Sequence, residues 1–295
     1  MSSNHYYWIT SEKNPEGYPH EKPVIERLRE RGHIVTPFVW DRGTLPSPLS
    51  ENEWVVVRTP WDYLGKYTQF ITWIDSLPHD GVFNTGSILK WNSDKRYLGE
   101  LQALGIPLVP THWFQAQNEA DFEREVLGAF PGRRIVIKPA ISAGASDTFR
   151  LSPGELPPRE TLLNRRLMVQ PYLEEVEVEG EKSFVFFSGK FSHAIRKLPR
   201  EGDYRVQEGF GGRFLAFHPS PLELEFSERV LRALSMRFPK EKPPLYARVD
   251  ALRTESGLVL MELELLEPDL YFHHAPGAAE RFVTALEGAS SRVAR

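Results

Sequence analysis

The stretch YARVDALRTESGLVLMELELLEPDLYF, residues 246–272, decides how this chain is read. Leu245 to Arg253 and Leu258 to Leu266 read as two strands. Glu255-Ser256-Gly257 between them suits a three-residue hairpin loop with glycine in the left-handed position. Side chains of a strand alternate between faces. Arg248 and Asp250 therefore share one face of the first strand, and Glu262 and Glu264 share one face of the second. Pairing Thr254 with Leu258 sets Asp250 opposite Glu262 and Arg248 opposite Glu264. The other face of the second strand, Val259, Met261, Leu263 and Leu265, reads as core. Three carboxylates among apolar strand residues are costly unless a cation neutralises them. Hard oxygen donors at this density suit Mg2+ or Mn2+. The alternative is a solvated strand face that Arg248 neutralises.

Cations lie elsewhere in the chain. Lys138 ends the strand Ile135 to Lys138 and precedes a small-residue loop, Ser142-Ala143-Gly144-Ala145-Ser146, of the kind that lets backbone N–H groups approach phosphate oxygens. It is not a P-loop, since no GxxxxGK[ST] occurs. Lys95 is placed at the start of a helix over Asp94 to Leu104, where the dipole favours anions. Lys197 follows in HAIRKLP, and Arg205 in GDYRVQ before Gly209, Gly211 and Gly212. Each lysine alone reads most simply as a solvated surface group. Taken together, cations, two glycine-rich loops and a carboxylate cluster describe a nucleoside triphosphate with its metal.

The rest of the chain frames these elements. Runs at Tyr6 to Thr10, His33 to Trp40 and Glu53 to Arg58 read as strands. They alternate with helices over Pro23 to Arg31 and Tyr67 to Leu77, the pattern of a parallel sheet with crossovers. Further on, Leu167 to Gln170 is a strand, and Ser188-Gly189 joins two more in a hairpin. Leu222 to Phe238 and Ala275 to Leu286 are helices. The class is mixed α/β (α+β) with added antiparallel sheets. Arg58, Trp61 and Asp62 end a strand of the first region, where α/β sheets place ligands; they read as substrate contacts or as simple domain packing. His273-His274 lacks a spaced partner such as HExxH and reads as surface or supporting structure. No GxSxG supports a serine hydrolase.

Composition narrows the classes. Lys plus Arg is 36 and Asp plus Glu is 40, so the net charge of −4 offers no global attraction for nucleic acid or an anionic membrane. With Cys at 0, disulfides, thiolate metal sites and thiol nucleophiles are excluded. The first residues lack a basic segment followed by a long apolar run, so no signal peptide is expected. No apolar stretch is long enough for a membrane span, and the cytosol is the default expectation.

These elements, in this order, resemble the ATP-grasp superfamily. RVD…LMELELLEP is similar to its metal-binding signature, and WNSDKRYL, IVIKPAISAGAS, MVQPYL, GEKSF, HAIRKLP and GDYRVQEGFGG extend the match over about residues 91–272. RTPWDY (58–63) and WNSDKRYL (91–98) point to the glutathione-synthetase-like ligases, in the subgroup containing the D-cycloserine-forming ligase. The resemblance implies an ATP-grasp fold in three lobes: an N-terminal α/β (pre-ATP-grasp) domain at 1–90, a small lobe with the phosphate-covering loop at 91–180, and a C-terminal lobe with the metal site at 181–295.

The same resemblance implies site roles. Lys95 and Lys138 would contact the α- and β-phosphates, and the loop with Ser142 and Gly144 would close over the triphosphate. Gln170, Pro171, Tyr172 and Leu173 would form the adenine hinge, and Glu181 would bind the ribose. Asp250, Glu262 and Glu264 would hold two Mg2+ ions, with Mn2+ as the other candidate. Arg205 and Lys197 would sit near the γ-phosphate and the substrate carboxylate, and Arg248 would stabilise the transition state. Position 264 is Glu, and position 207 Gln, where many relatives have Asn. The implied activity joins a small-molecule carboxylate to an amine through an acylphosphate, releasing ADP and phosphate, with no nucleic acid or membrane partner. A homodimer is the family habit. The competing functions are an ATP-dependent phosphotransferase and a nucleotide-binding protein without turnover.

Overall fold

A computed structural model of the chain describes residues 3–200, 206 and 211–291; Arg205, Gln207 and Gly209 lie outside the described residues. The first region runs β1 (His5–Thr10), α1 (Lys22–Glu30), β2 (Ile34–Val39), β3 (Glu53–Thr59), α2 (Tyr67–Ser76), β4 (Val82–Phe83) and α3 (Gly86–Asn92). Its sheet has the order β2-β1-β3-β4 and every pairing is parallel, as the alternating pattern predicts. Helix α1 buries Val24, Ile25 and Leu28, the apolar stripe that its spacing dictates.

The second region runs α4 (Tyr97–Ala103), β5 (His112–Phe114), α5 (Glu119–Ala129), β6 (Ile135–Pro139), β7 (Phe149–Leu151), α6 (Arg159–Leu162), β8 (Leu167–Pro171) and α7 (Glu175–Val178). Its sheet is antiparallel, in the order β5-β8-β6-β7. Helix α4 begins later than expected. Asp94 folds back on Arg96, accepting its N–H at 3.0 Å, so Lys95 lies in a turn ahead of the helix and not in its first turn. Helix α5 escapes the sequence reading, although Asn118 caps it by accepting from the Asp121 N–H at 2.9 Å. The core of this region, around Phe114, Phe122, Ile137 and Val169, draws only on its own residues.

The third region runs β9 (Glu181–Phe187), β10 (Lys190–Leu198), β11 (Arg213–Phe217), α8 (Pro221–Arg237), β12 (Tyr246–Thr254), β13 (Gly257–Glu264) and α9 (Ala278–Ser291). The antiparallel order is β11-β10-β9-β12-β13. Ser188 (φ 47°) and Gly189 (φ 76°) make the two-residue turn of the β9–β10 hairpin, both left-handed as such turns require. Helix α9 returns to the first sheet: Phe282, Val283 and Leu286 share one core with Tyr6, Trp8 and Leu28, and with Val185 and Tyr246 of the third sheet. Among the described residues, no helix is long and apolar enough to cross a membrane.

The β12–β13 hairpin departs from expectation in two compensating ways. Thr254 pairs with Gly257, not with Leu258, so the turn is the two residues Glu255-Ser256. A bulge then inserts Met261 between the Ala251–Leu260 and Asp250–Glu262 pairs. The register is thereby restored, and Asp250 opposes Glu262 and Arg248 opposes Glu264. The bulge also corrects the expected core face. Leu260, Leu263 and Leu265 enter the large core with Val249 and Ala251. Val259 and Met261 turn to the opposite face and pack with Leu173, Val176, Val206 and Leu252.

Strand β13 lies at a sheet edge, so its outer backbone groups need partners from outside the sheet. Asn92 supplies three of them. Its side chain donates to the Leu263 carbonyl at 2.7 Å and accepts from the Leu265 and Leu266 N–H groups at 2.7 and 3.2 Å. The Tyr97 hydroxyl accepts from the Leu263 N–H at 2.9 Å, and the Pro107 carbonyl accepts from the Leu260 N–H at 2.8 Å. Asn84 donates to the Leu265 carbonyl at 2.6 Å. An unmade buried hydrogen bond costs about 1–3 kcal/mol. Asn92→Ala strips three such bonds at once and is expected to destabilise the protein by on the order of 3 kcal/mol. Urea unfolding measures this, and a midpoint equal to wild type would reject the edge-sealing role.

Candidate active site

The third sheet and the second meet at a cleft of about 530 Å³. Strand β12 presents Arg248 and Asp250 to it, and β13 presents Met261, Glu262 and Glu264. Lys138 enters from β6, Lys95 from the turn before α4, and Lys197 from β10. Strand alternation turns Lys138, Lys197, Arg248, Asp250, Glu262 and Glu264 to the cleft, the bulge adds Met261, and Lys95 reaches it from its turn.

The cations and carboxylates answer one another. Lys138 Nζ lies 2.6 Å from Glu262 Oε1, and Lys95 Nζ lies 3.8 Å from Glu262 Oε2. Lys197 pairs with Glu181 and lies 3.4 Å from Asp250. Arg248 grips Asp250 at 2.8 Å and also pairs with Glu264. Ser183 donates to Asp250 Oδ1 at 2.5 Å. Burial alone would raise every one of these carboxyls. For Asp250 that effect is overcome by Arg248 and Lys197, which hold it well below the carboxylate range. For Glu262 it is overcome by Lys138 and Lys95, which hold it down to about 2. For Glu264 burial wins over Arg248, with Asp250 and Glu262 adding repulsion, and the group is pushed up to about 8. Burial also raises Glu181 despite Lys197, and pushes Glu267 up to about 7 despite the hydrogen bond from Tyr63.

The covering loop follows β6. Gly144 (φ 61°) and Ala145 (φ 59°) are successive left-handed residues, and the space around Gly144 is open. Ser142, Ala143, Gly144 and Ala145 line the cleft. Ser142 Oγ donates to the Pro139 carbonyl at 2.9 Å, and the Ser142 carbonyl accepts from Lys95 Nζ. Gln170, Pro171, Tyr172 and Leu173 are not lining residues. Gln170 donates to Thr111 at 2.9 Å, and the Tyr172 N–H to the Arg134 carbonyl at 2.8 Å. Leu173 borders the cleft through its cluster with Val206 and Met261. Glu181 reaches the cleft directly.

Of the three first-region candidates, only Trp61 lines the cleft. Arg58 is fully buried, bound to Glu21 at 2.7 Å and to the Pro268 carbonyl at 2.8 Å, with its guanidinium 4.4 Å from the Tyr246 ring. Asp62 accepts from Trp40 Nε1 at 2.7 Å. The domain-packing reading fits these two. Tyr63, Asn92, Glu267, Asp269 and Tyr271 line the cleft and are missed by the sequence reading. Tyr63 and Asn92 stand inside motifs quoted for their resemblance, and the other three close the stretch that opened the reading.

The donor set can be tested for a metal. Among the described residues no three His, Asp or Glu side chains stand grouped as a ready cage. The oxygens of Glu262 and Glu264 face lysine and arginine instead. The carboxyl groups of Asp250 on β12 and of Glu262 and Glu264 on β13 are nonetheless hard oxygen donors of the kind a divalent ion takes.

Comparison with known proteins supplies the family context. The family described as D-cycloserine synthetase DcsG, N-terminal domain, matches residues 7–84. The cycloserine biosynthesis protein DcsG of Streptomyces lavendulae is 29% identical over 282 residues, covering 90% of this chain and 91% of that protein. The crystal structure of D-cycloserine synthetase DcsG superposes with a TM-score of 0.83 at 27% identity, covering 97% of this chain and 100% of that one. The ATP-grasp ligase PsnB, solved with a phosphomimetic precursor, Mg and ADP, shares the fold, with a TM-score of 0.63 at 15% identity over 99% of both chains.

The raised carboxyls set a pH dependence. Glu264 and Glu267 bind a proton more tightly in the folded chain than in the unfolded one, whose ordinary value is 4.5. Their contribution to stability is complete below that value and is lost as the pH climbs through about 7 and about 8. Glu262, held at about 2, contributes in the opposite sense: its share is present above 4.5 and lost as pH falls toward 2. The ligand-free protein should therefore lose melting temperature from about pH 4.5 to about pH 8, and Glu264→Gln should flatten that loss. Parallel melting curves for the two proteins would reject the assignment.

Proposed function

We propose that this ATP-grasp ligase, similar to D-cycloserine synthetase DcsG over 90% of its length, activates a small-molecule carboxylate with ATP and joins it to an amine. The observation that carries the reading is the reciprocal charge set in one cleft. Lys95, Lys138, Lys197 and Arg248 are arranged for an anion, and Asp250, Glu262 and Glu264 for its cation. The lobes are taken as residues 1–90, 91–180 and 181–295.

In this reading the substrate carboxylate attacks the γ-phosphorus, the bond to the β-phosphate oxygen breaks, and ADP leaves. The amine nitrogen then attacks the carbonyl of the acylphosphate, loses a proton, and phosphate departs. Lys95 and Lys138 exchange Glu262 for phosphate oxygens, and Lys197 and Arg205 attend the γ-phosphate and the carboxylate. Leu173 would border the adenine beside Met261, with Gln170 to Tyr172 behind it, and Glu181 would hold the ribose. Asp250, Glu262 and Glu264 would hold one or two Mg2+ ions, which neutralise charge developing on the phosphates. The Arg248 guanidinium faces the oxyanion of the tetrahedral intermediate. The loop at 142–146 excludes water from the labile acylphosphate.

Glu262→Gln removes one carboxylate charge without changing shape and should abolish amine-dependent ADP release while the protein stays folded. Normal turnover in that variant sinks the metal assignment. Hydroxylamine should trap an acyl hydroxamate in the wild type. A stable phosphorylated product with no hydroxamate would favour a phosphotransferase instead.

A further inference from the structure

One end of the cleft is left unexplained by the nucleotide reading. Its walls include Tyr18, Trp61, Tyr63 and Tyr271, its carboxylates are Glu267 and Asp269, and the Arg248 guanidinium stands over the Tyr271 ring at 5.2 Å. Among the described residues neither carboxylate forms an ion pair, because Lys95, Lys138, Lys197 and Arg248 are committed to Glu181, Asp250, Glu262 and Glu264. Asp269 is partly used, since Oδ1 accepts from the Tyr271 N–H at 2.8 Å. Glu267 Oε1 accepts from the buried Tyr63 hydroxyl at 2.8 Å. Among the described residues its Oε2 receives no hydrogen bond.

The placement of Glu267 is strongly determined. Trp61 Nε1 donates to its backbone carbonyl at 3.0 Å, and Arg58 Nη2 donates to the carbonyl of Pro268 at 2.8 Å. Tyr246 donates to the Leu266 carbonyl at 3.1 Å, and Arg248 Nη1 to the Asp269 carbonyl at 3.0 Å. Four carbonyls in succession, from 266 to 269, are thus held by side chains, and two of the holders belong to the RTPWDY segment. A carboxylate with a free oxygen, presented rigidly between aromatic rings, is complementary to a compact cation. Nucleotide and divalent ions largely cancel one another's charge, so they leave this negative end uncompensated.

We infer that Glu267 recognises a positively charged nitrogen on the substrate, and that Arg58, Trp61 and Tyr63 of the first region position it. This rests on the ligase reading of the same cleft. RTPWDY then acts on specificity through Glu267, with Arg58 never touching the substrate.

The test uses the full chain with Mg2+, ATP and hydroxylamine, screening D- and L-amino acids against their desamino and 2-hydroxy counterparts. At least one ammonium-bearing acid should yield hydroxamate with kcat/KM about tenfold or more above that of its desamino counterpart. Glu267→Gln should collapse that ratio and raise KM for the acid about tenfold, with KM for ATP unchanged. Tyr63→Phe, which keeps the charge, should move the same ratio several-fold in the same direction and decides the matter if Glu267→Gln does not fold. Equal trapping of desamino acids, or discrimination unaltered in both variants, overturns the inference. No hydroxamate from any acid, with Mg2+–ATP binding intact, overturns the ligase reading beneath it.

Discussion

An edge strand that bears the cleft's acidic groups has to be closed from outside its own sheet. Strand β13 has β12 on one side and nothing of its sheet on the other. Its outer backbone is satisfied by Asn92, Tyr97, Asn84 and the Pro107 carbonyl. Where the strand ends, Tyr246, Trp61, Arg58 and Arg248 take over the carbonyls that follow. This sealing fixes the backbone that carries Glu262, Glu264 and Glu267. It explains why residues far apart in the chain, from 58 to 97, are required by a segment at 260–269.

The charges in the cleft form a second constraint that depends on the first. Buried ions without partners are expensive, and in this chain each lysine or arginine of the cleft has a carboxylate within reach. A polyanion arriving with divalent cations can replace both sets of partners at once. Neither partner alone offers that exchange: a metal without nucleotide displaces lysines into an uncompensated site, and nucleotide without metal does the same to Glu262. The raised carboxyl of Glu264 marks a place where the ligand-free arrangement is poorly compensated.

Much of this was legible in the residues. Alternation in 246–254 and 258–264 put Arg248, Asp250, Glu262 and Glu264 on one face, and the parallel first sheet followed from strands alternating with helices. Lys138 at the end of a strand before a small-residue loop was legible for the same reason. What escaped has a physical cause in each case. The bulge at Met261 has no local signature, since methionine suits either face, so Val259 and Met261 were assigned to the wrong core. Arg58 resembles a ligand contact in sequence, and only the buried carboxylate of Glu21, supplied from 37 residues away, shows its structural use. Asn92 acts through its side-chain amide on a strand 171 residues distant, a contact no periodicity encodes. Helix α5 carries charge through its length, at Glu119, Asp121, Glu123, Arg124 and Glu125, and buries only Phe122 and Val126, so its apolar stripe is thin.

The bulge also bears on how relatives of this chain should be aligned. A relative with a three-residue turn and no extra residue at 261 would hold its acidic residues in the same pairing as this chain does with Glu255-Ser256 and Met261. Letter matching would score two such chains as identical in length and would pair every residue from the turn to the bulge one step out of phase. Each side chain in that interval would then be assigned to the wrong side of the sheet, while the ends of the alignment looked correct. For this hairpin, equal length is no guarantee of equivalent positions, and spatial pairing is the safer key.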